Sequence, residues 1–158
     1  VTLRGNPDDA AFMKAVEDVI GVALPTRALS FAEGKTYTAC WMGPDEWLLL
    51  TPEDGQTALV AALNGALESF HKSVVDVTDY YVMMRLGGQN AREILTNSCP
   101  LDVHPRKFTA GMCTNTKYAR ASIFLMQLDD TPSYDVMVRW SMADYLWNYF
   151  FDGAKEFA

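Results

Sequence analysis

Apolar positions change their period several times along the chain, and each change marks an element. Leu59, Ala62, Leu63, Ala66, Leu67 and Phe70 fall at i, i+3, i+4, i+7, i+8 and i+11, the buried stripe of an amphipathic helix. Thr51 is its expected cap and Pro52 its first turn, with Glu53 and Asp54 setting negative charge against the positive end of the helix dipole. An earlier helix is predicted from Asn6 as cap, with Pro7 at the first helical position, Phe12, Ala15, Val16 and Val19 facing inward, and Gly21 as terminator. Before it, residues 1–5 form a short strand candidate ending at Gly5. After it, Leu24-Pro25 opens a less regular stretch with a turn at Glu33-Gly34-Lys35. Residues 36–42 and 47–51 then read as a hairpin across Gly43-Pro44-Asp45-Glu46.

The second half opens with Val74, Val75, Val77, Val82, Met83, Met84 and Leu86, a long strand-type run closed by Gly87-Gly88. A helix follows, its stripe made by Ala91, Ile94, Leu95 and Ser98, and Pro100 stops it. Between Pro100 and Pro105 the chain is a stiff, extended connection, because proline fixes its own φ and biases the residue before it away from the helical region. Residues 112–116, 118–128 and 134–140 are strand candidates, with turn residues at Asp129-Asp130-Thr131-Pro132-Ser133. Ser141 is the expected cap of a last helix. On its wheel Asp144, Asn148 and Asp152 make one narrow polar stripe, and Ala143, Leu146, Trp147 and Phe150 form a face able to close a core. Met142, Tyr145, Tyr149 and Phe151 are left partly outside it, and amphipathic aromatics of this kind favour a subunit contact.

The order of elements repeats. Residues 3–13 can be laid on 84–94 at a constant offset, and the Trp47 strand with its helix matches the Tyr134 strand with its helix. The expected fold is therefore α+β: two similar strand-helix-strand-strand-helix units, about 1–72 and 74–158, sharing a core in a single domain over 1–158.

With 158 residues, 49% of them hydrophobic, the chain can bury such a core. A net charge of −7, with no cationic run longer than Arg106-Lys107, excludes the positive footprint that nucleic acid requires. No apolar run reaches the roughly 18 residues of a membrane span, and no leader pattern opens the sequence. Cys40, Cys99 and Cys113 are odd in number and unrelated in spacing, which fits reduced thiols. A cytoplasmic protein is expected.

Few residues carry chemistry. The metal-ligand spacings are missing, so no bound metal is expected. Gly87-Gly88 lacks the third glycine and the following acid of a dinucleotide fingerprint, and it reads as a tight strand-to-helix turn. His71 follows a helix end, where a cation is favoured. His104, between Asp102 and Arg106 in the proline-stiffened loop, reads as a surface or structural residue, with Arg106 beside it as a second partner-contact candidate. Cys113 reads as a buried structural thiol, and Asp76 and Asp79 are acids without an assigned role.

The stretch 74–107, with Gly43-Pro44-Asp45-Glu46-Trp47-Leu48-Leu49 before it and Leu128-Asp129-Asp130-Thr131-Pro132 after it, resembles the gamma subunit of heterotetrameric sarcosine oxidase over nearly the whole chain. That family is similar in fold to the tetrahydrofolate-binding domain of the glycine cleavage T protein. The resemblance implies a complex with alpha, beta and delta subunits that oxidatively demethylates sarcosine to glycine, makes hydrogen peroxide and passes the one-carbon unit to tetrahydrofolate. It also implies that FAD, FMN, NAD and tetrahydrofolate belong to the partner subunits. This chain would then hold no cofactor or catalytic residue and would serve packing and assembly. The Met-Cys-Thr-Asn run at 112–115 departs from the Gln-Glu continuation of the related iron–sulfur maintenance proteins, so their activity is not implied. The alternatives are a stand-alone tetrahydrofolate-binding or aminomethyl-transfer module and an orphan interaction domain.

Overall fold

The computed structural model describes residues 1–157, and the chain divides into two compact units, Val1–Thr78 and a second that begins at Asp79. The first runs β1 (Thr2–Arg4), α1 (Ala10–Ile20), β2 (Phe31–Glu33), β3 (Thr38–Gly43), β4 (Glu46–Leu50), α2 (Gln56–Ala66) and β5 (Ser73–Val75). Its strands form one antiparallel sheet in the order β2-β3-β4-β1-β5. The second runs β6 (Tyr81–Gly87), α3 (Ala91–Thr96), β7 (Cys113–Tyr118), β8 (Ala121–Asp129), β9 (Ser133–Arg139) and α4 (Ala143–Ala154), with the antiparallel order β6-β9-β8-β7. The expected α+β class, helices with antiparallel sheet, is what the structure has.

Several local expectations are corrected. The cap of α1 is Asp9, whose carboxylate accepts from the N–H groups of Ala11 at 3.0 Å and Phe12 at 3.2 Å; Asn6 instead holds the N–H of Asp8 in the turn before it. Thr51 does not cap α2, because residues 52–55 close a turn through Gly55 N–H to Pro52 O at 3.0 Å and the helix starts only at Gln56. The stretch after Pro25 contains a strand, β2, and the turn expected at Gly34 closes it onto β3, with Gly34 N–H donating to Tyr37 O at 2.8 Å. Each unit thus places three strands between its helices rather than two.

The long run 74–86 is two strands in two sheets. Between them the Asp76 carboxylate accepts from the backbone N–H of Thr78 at 2.9 Å and from its hydroxyl at 2.6 Å, and the chain makes a single 3₁₀ turn. These bonds hold the Asp76 carboxyl below its ordinary value. Ser141 does not cap α4 either: Trp140–Met142 form a 3₁₀ turn, and the cap position falls on Met142 without a side-chain bond.

The two units follow one plan. The orders β2-β3-β4-β1 and β7-β8-β9-β6 correspond, and so do the registers: Leu3 faces Trp47 and Arg4 faces Glu46, whereas Met84 faces Val136 and Arg85 faces Asp135. Each unit buries its own apolar cluster. In the first, Leu3, Phe12, Val16, Trp47, Leu59 and Leu63 come from the strands and from the inward stripes of both helices. In the second, Leu95, Tyr118, Leu125, Tyr134, Val136 and Leu146 do the same.

Candidate partner-binding surface

Helix α4 lies on the sheet of the second unit through Leu146 and Phe150, both buried, with Met142, Ala143 and Tyr145 half-buried against the same cluster. On the wheel two flanks border that contact. One carries Tyr145 and Tyr149, the other Trp147 and Phe151.

The tyrosine flank is tied to the body of the unit. Tyr118, fully buried at the end of β7, donates its hydroxyl to Ile94 O at 2.8 Å. Its ring centroid lies 4.6 Å from that of Phe150 and, edge to face, 5.4 Å from that of Tyr149, and the Tyr145 ring is tilted against Tyr149 at 5.8 Å. Ser98 donates its hydroxyl to Tyr149 Oη at 3.2 Å. Burial, with Tyr149 next to it, pushes the Tyr118 hydroxyl up to about 12.

The other flank is open. Trp147 is 60% exposed and Phe151 58%, which overturns the expectation that Trp147 closes the core. On this helix the flank packed toward Tyr118 is the tyrosine one, and the indole faces outward. Trp147, Phe151 and the buried Phe150 roof a small apolar pocket over Met84, Arg85 and Leu86 of β6. Lys155 lies 5.0 Å above the Phe151 ring and ion-pairs with Asp152 at 2.7 Å, so the polar stripe of the helix stays in water. Trp140, just before the helix, is 66% exposed. The signal for this flank was in the sequence, since Trp147 and Phe151 stand at i and i+4.

His104 and Arg106 sit on the surface elsewhere in the unit, in the loop after α3. His104 Nδ1 accepts the N–H of Arg106 at 3.2 Å, and the backbone N–H of His104 reaches the Asp102 carboxylate at 3.0 Å. The imidazole is thus engaged by its own turn. Arg92 Nε donates to Val103 O at 3.0 Å, pinning the loop to α3 beside an open groove of about 390 Å³ that His104, Asp102 and Glu93 help to line. The structure does not bring His104 or Arg106 together with the α4 residues into one constellation of short contacts. Cys113, at the start of β7, is fully buried. Asp79 is exposed, and Gly88, at φ +110°, makes the tight turn into α3. Among the described residues no three His, Cys, Asp or Glu side chains converge as metal ligands, and no helix is long and apolar enough to cross a membrane.

Comparison with known proteins places this arrangement. The sarcosine oxidase gamma subunit family matches residues 4–156. The chain belongs to that family. It is 30% identical over 159 aligned residues to sarcosine oxidase subunit gamma of Corynebacterium sp. (strain P-1), covering all of this chain and 76% of the relative. The same subunit of Arthrobacter sp. is 31% identical, again with all of this chain and 76% of the relative covered. Among solved structures, a chain of heterotetrameric sarcosine oxidase from Corynebacterium sp. U-96, in complex with pyrrole 2-carboxylate, superposes with a TM-score of 0.89 at 29% identity. That match covers 99% of this chain and 78% of the other. The gamma subunit fold therefore extends over both units.

Proposed function

We propose that this chain is an assembly subunit of a sarcosine oxidase complex and that it meets its partner chains through the Trp147 and Phe151 flank of α4. The complex carries out the oxidative demethylation of sarcosine to glycine with formation of hydrogen peroxide, and passes the one-carbon unit to tetrahydrofolate. FAD, FMN, NAD and tetrahydrofolate belong to its large alpha and beta chains, and this chain supplies surface. One observation carries the reading. Of the nine large apolar side chains exposed among the described residues, only Leu29 and Val75 lie in the first unit; Tyr80, Met83, Trp140, Trp147, Tyr149, Phe151 and Phe157 lie in the second. A soluble surface scatters such residues singly, and their concentration in one unit, with Trp147 and Phe151 side by side on α4, supports an interface there. A stand-alone tetrahydrofolate site would need a pocket with a carboxylate for the pterin ring; Asp76 and Asp79 line neither groove described above, and the carboxylates that do, Asp102 and Glu93, border the open groove beside His104.

The test is the paired change Trp147→Ser and Phe151→Ser, made in the chain co-expressed with alpha, beta and delta subunits. Aromatic anchors of an interface cost about 2 kcal/mol or more each when removed. With the two losses adding, assembly followed by sedimentation should weaken on the order of several hundredfold. Undiminished assembly of the double variant would refute the assignment of this flank.

A further inference from the structure

The two units differ at one edge. In the first, β5 lies antiparallel beyond β1, with Leu3 facing Val74 and Arg4 facing Ser73. Leu3 is fully buried, and Val74 packs on the cluster beneath it. In the second, β6 holds the place beside β9 that β1 holds beside β4, yet among the described residues no strand lies beyond it. Met84, in the place of Leu3, stays half-exposed. With Arg85, Leu86, Trp147, Phe150 and Phe151 it lines an apolar pocket of about 160 Å³.

The hydrogen-bonding groups of that edge can be placed. Gly88 N–H donates to Pro132 O at 3.2 Å, and the register of β6 on β9 is continuous from Tyr81 to Gly87. By the alternation of an antiparallel ladder, Val82, Met84 and Leu86 turn their N–H and C=O groups to β9, and Tyr81, Met83, Arg85 and Gly87 turn theirs outward. Met83 and Arg85 correspond to Thr2 and Arg4, whose register partners on the far side are Val75 and Ser73 of β5.

We propose that the outer edge of β6 is completed by an extended segment of another, non-identical chain of the complex. It adds antiparallel and seats a short aliphatic side chain opposite Met84, in the pocket under Trp147 and Phe151, as Val74 sits opposite Leu3. The fifth strand of the first unit is the template for the occupant. An open edge with an apolar pocket on one face is the surface to which strands add, the ladder giving affinity and the pocket selecting the side chain. A second copy fits poorly: on this face it would present Met84 or Leu86, which already line its own pocket, and it carries the same net charge of −7. The proposal rests on the assembly role above, and the experiment separates the two.

Amide hydrogen exchange is measured residue by residue on the isolated chain and on the same chain reconstituted with alpha, beta and delta subunits. The amides of Met83, Arg85 and Gly87 should exchange fast in the isolated chain and at least about a hundredfold more slowly in the complex, while Met84 and Leu86 are slow in both. Met83→Pro deletes an outward N–H without touching the β6–β9 ladder, a place where a strand tolerates proline. It should weaken assembly at least tenfold relative to Met83→Ala while the two isolated variants melt together. Should Met83→Pro melt lower, the exchange data alone decide. Outward amides equally fast in the complex, or already slow in the isolated monomer, overturn the proposal. Protection that appears when the isolated chain self-associates overturns it in favour of a second copy. If the wild-type chain does not join the other subunits at all, the assembly role falls; if it joins them with the edge unprotected, only the strand falls.

Discussion

Replacing Gly5 by alanine tests the packing of the first unit at one atom. A Cβ built there lies 2.1 Å from Phe12 Cζ, 2.5 Å from Cε2 and 2.7 Å from Cε1. Carbon atoms settle at roughly 3.5–4.0 Å, so the ring would have to retreat by about 1.5 Å. It has nowhere to go. Phe12 is 1% exposed, its edge set against Phe70 at 5.9 Å and its face tilted on Trp47 at 6.4 Å. Overpacking of this kind costs about 1–3 kcal/mol, and a clash this deep belongs at the upper end. In a unit of this size each kcal/mol moves the melting temperature by about 4–8 °C, which puts the expected loss at roughly 10–20 °C. Thermal and urea unfolding, followed by circular dichroism, measures it. In a Phe12→Leu background the smaller side chain relieves the contact, and Gly5→Ala should then cost less than about 1 kcal/mol. An unchanged melting temperature for Gly5→Ala, or an equal cost in both backgrounds, would refute the steric account.

Three further outcomes follow from the second unit. Below pH 10 the Tyr118 hydroxyl is protonated in both the folded and unfolded chain, and its contribution is complete; as the pH rises from about 10 through about 12 the unfolded chain ionises first, so stability falls across that window. Tyr118→Phe should remove that part of the alkaline loss in a pH series of melting curves, and an identical alkaline limb would count against the assignment. Changing Tyr145 and Tyr149 together to serine should lower the stability of the isolated chain by about 2–4 kcal/mol, because Tyr149 meets Tyr118 edge-on and bonds Ser98 while Tyr145 leans on Tyr149; an unaffected melt would support the expectation that both tyrosines serve the interface. His104→Ala should leave turnover of the assembled enzyme within about twofold, whereas a loss of about 10² to 10⁴ with intact assembly would identify a general acid or base.

What the sequence disclosed was whatever one element decides alone. The stripes of α1 and α2 were legible because a helix buries a fixed angular face, and Phe12, Val16, Leu59, Leu63 and Leu67 are buried in the structure. Caps were not. Asn6, Thr51 and Ser141 have the chemistry of caps, yet the helices start after Asp9, Gly55 and Met142, because the path by which the chain enters each helix decides the first turn. β2 escaped notice because a three-residue strand is defined by its pairing with β3 rather than by a pattern of its own. The break within 74–86 did have a local signal, the Asp76 and Thr78 pair that forms the turn. On α4 the wheel gave the polar stripe but could not choose between two apolar flanks. The contacts that distinguish the flanks come from Tyr118, on a strand distant in sequence, which meets Tyr149 and Phe150.

The repeated arginine carries the comparison of the two edges one step further. Arg4 reaches Asp45 at 2.9 Å with both side chains about half in water, a surface pair that adds little. The sheet does not depend on it, since β1 is held by β4 on one side and β5 on the other. Arg85 stands at the same place in β6, but it clasps Asp135 with two bonds of 2.7 and 2.9 Å, and that carboxylate is 8% exposed. The clasp raises the Arg85 guanidinium further above its ordinary value, so the cation persists at any working pH. A strand held from one side only would be the first to fray, and a bidentate arginine across the ladder is the bond geometry that best resists it. On the strand addition proposed above, fixing β6 in advance would also lower the ordering cost of whatever binds its free edge.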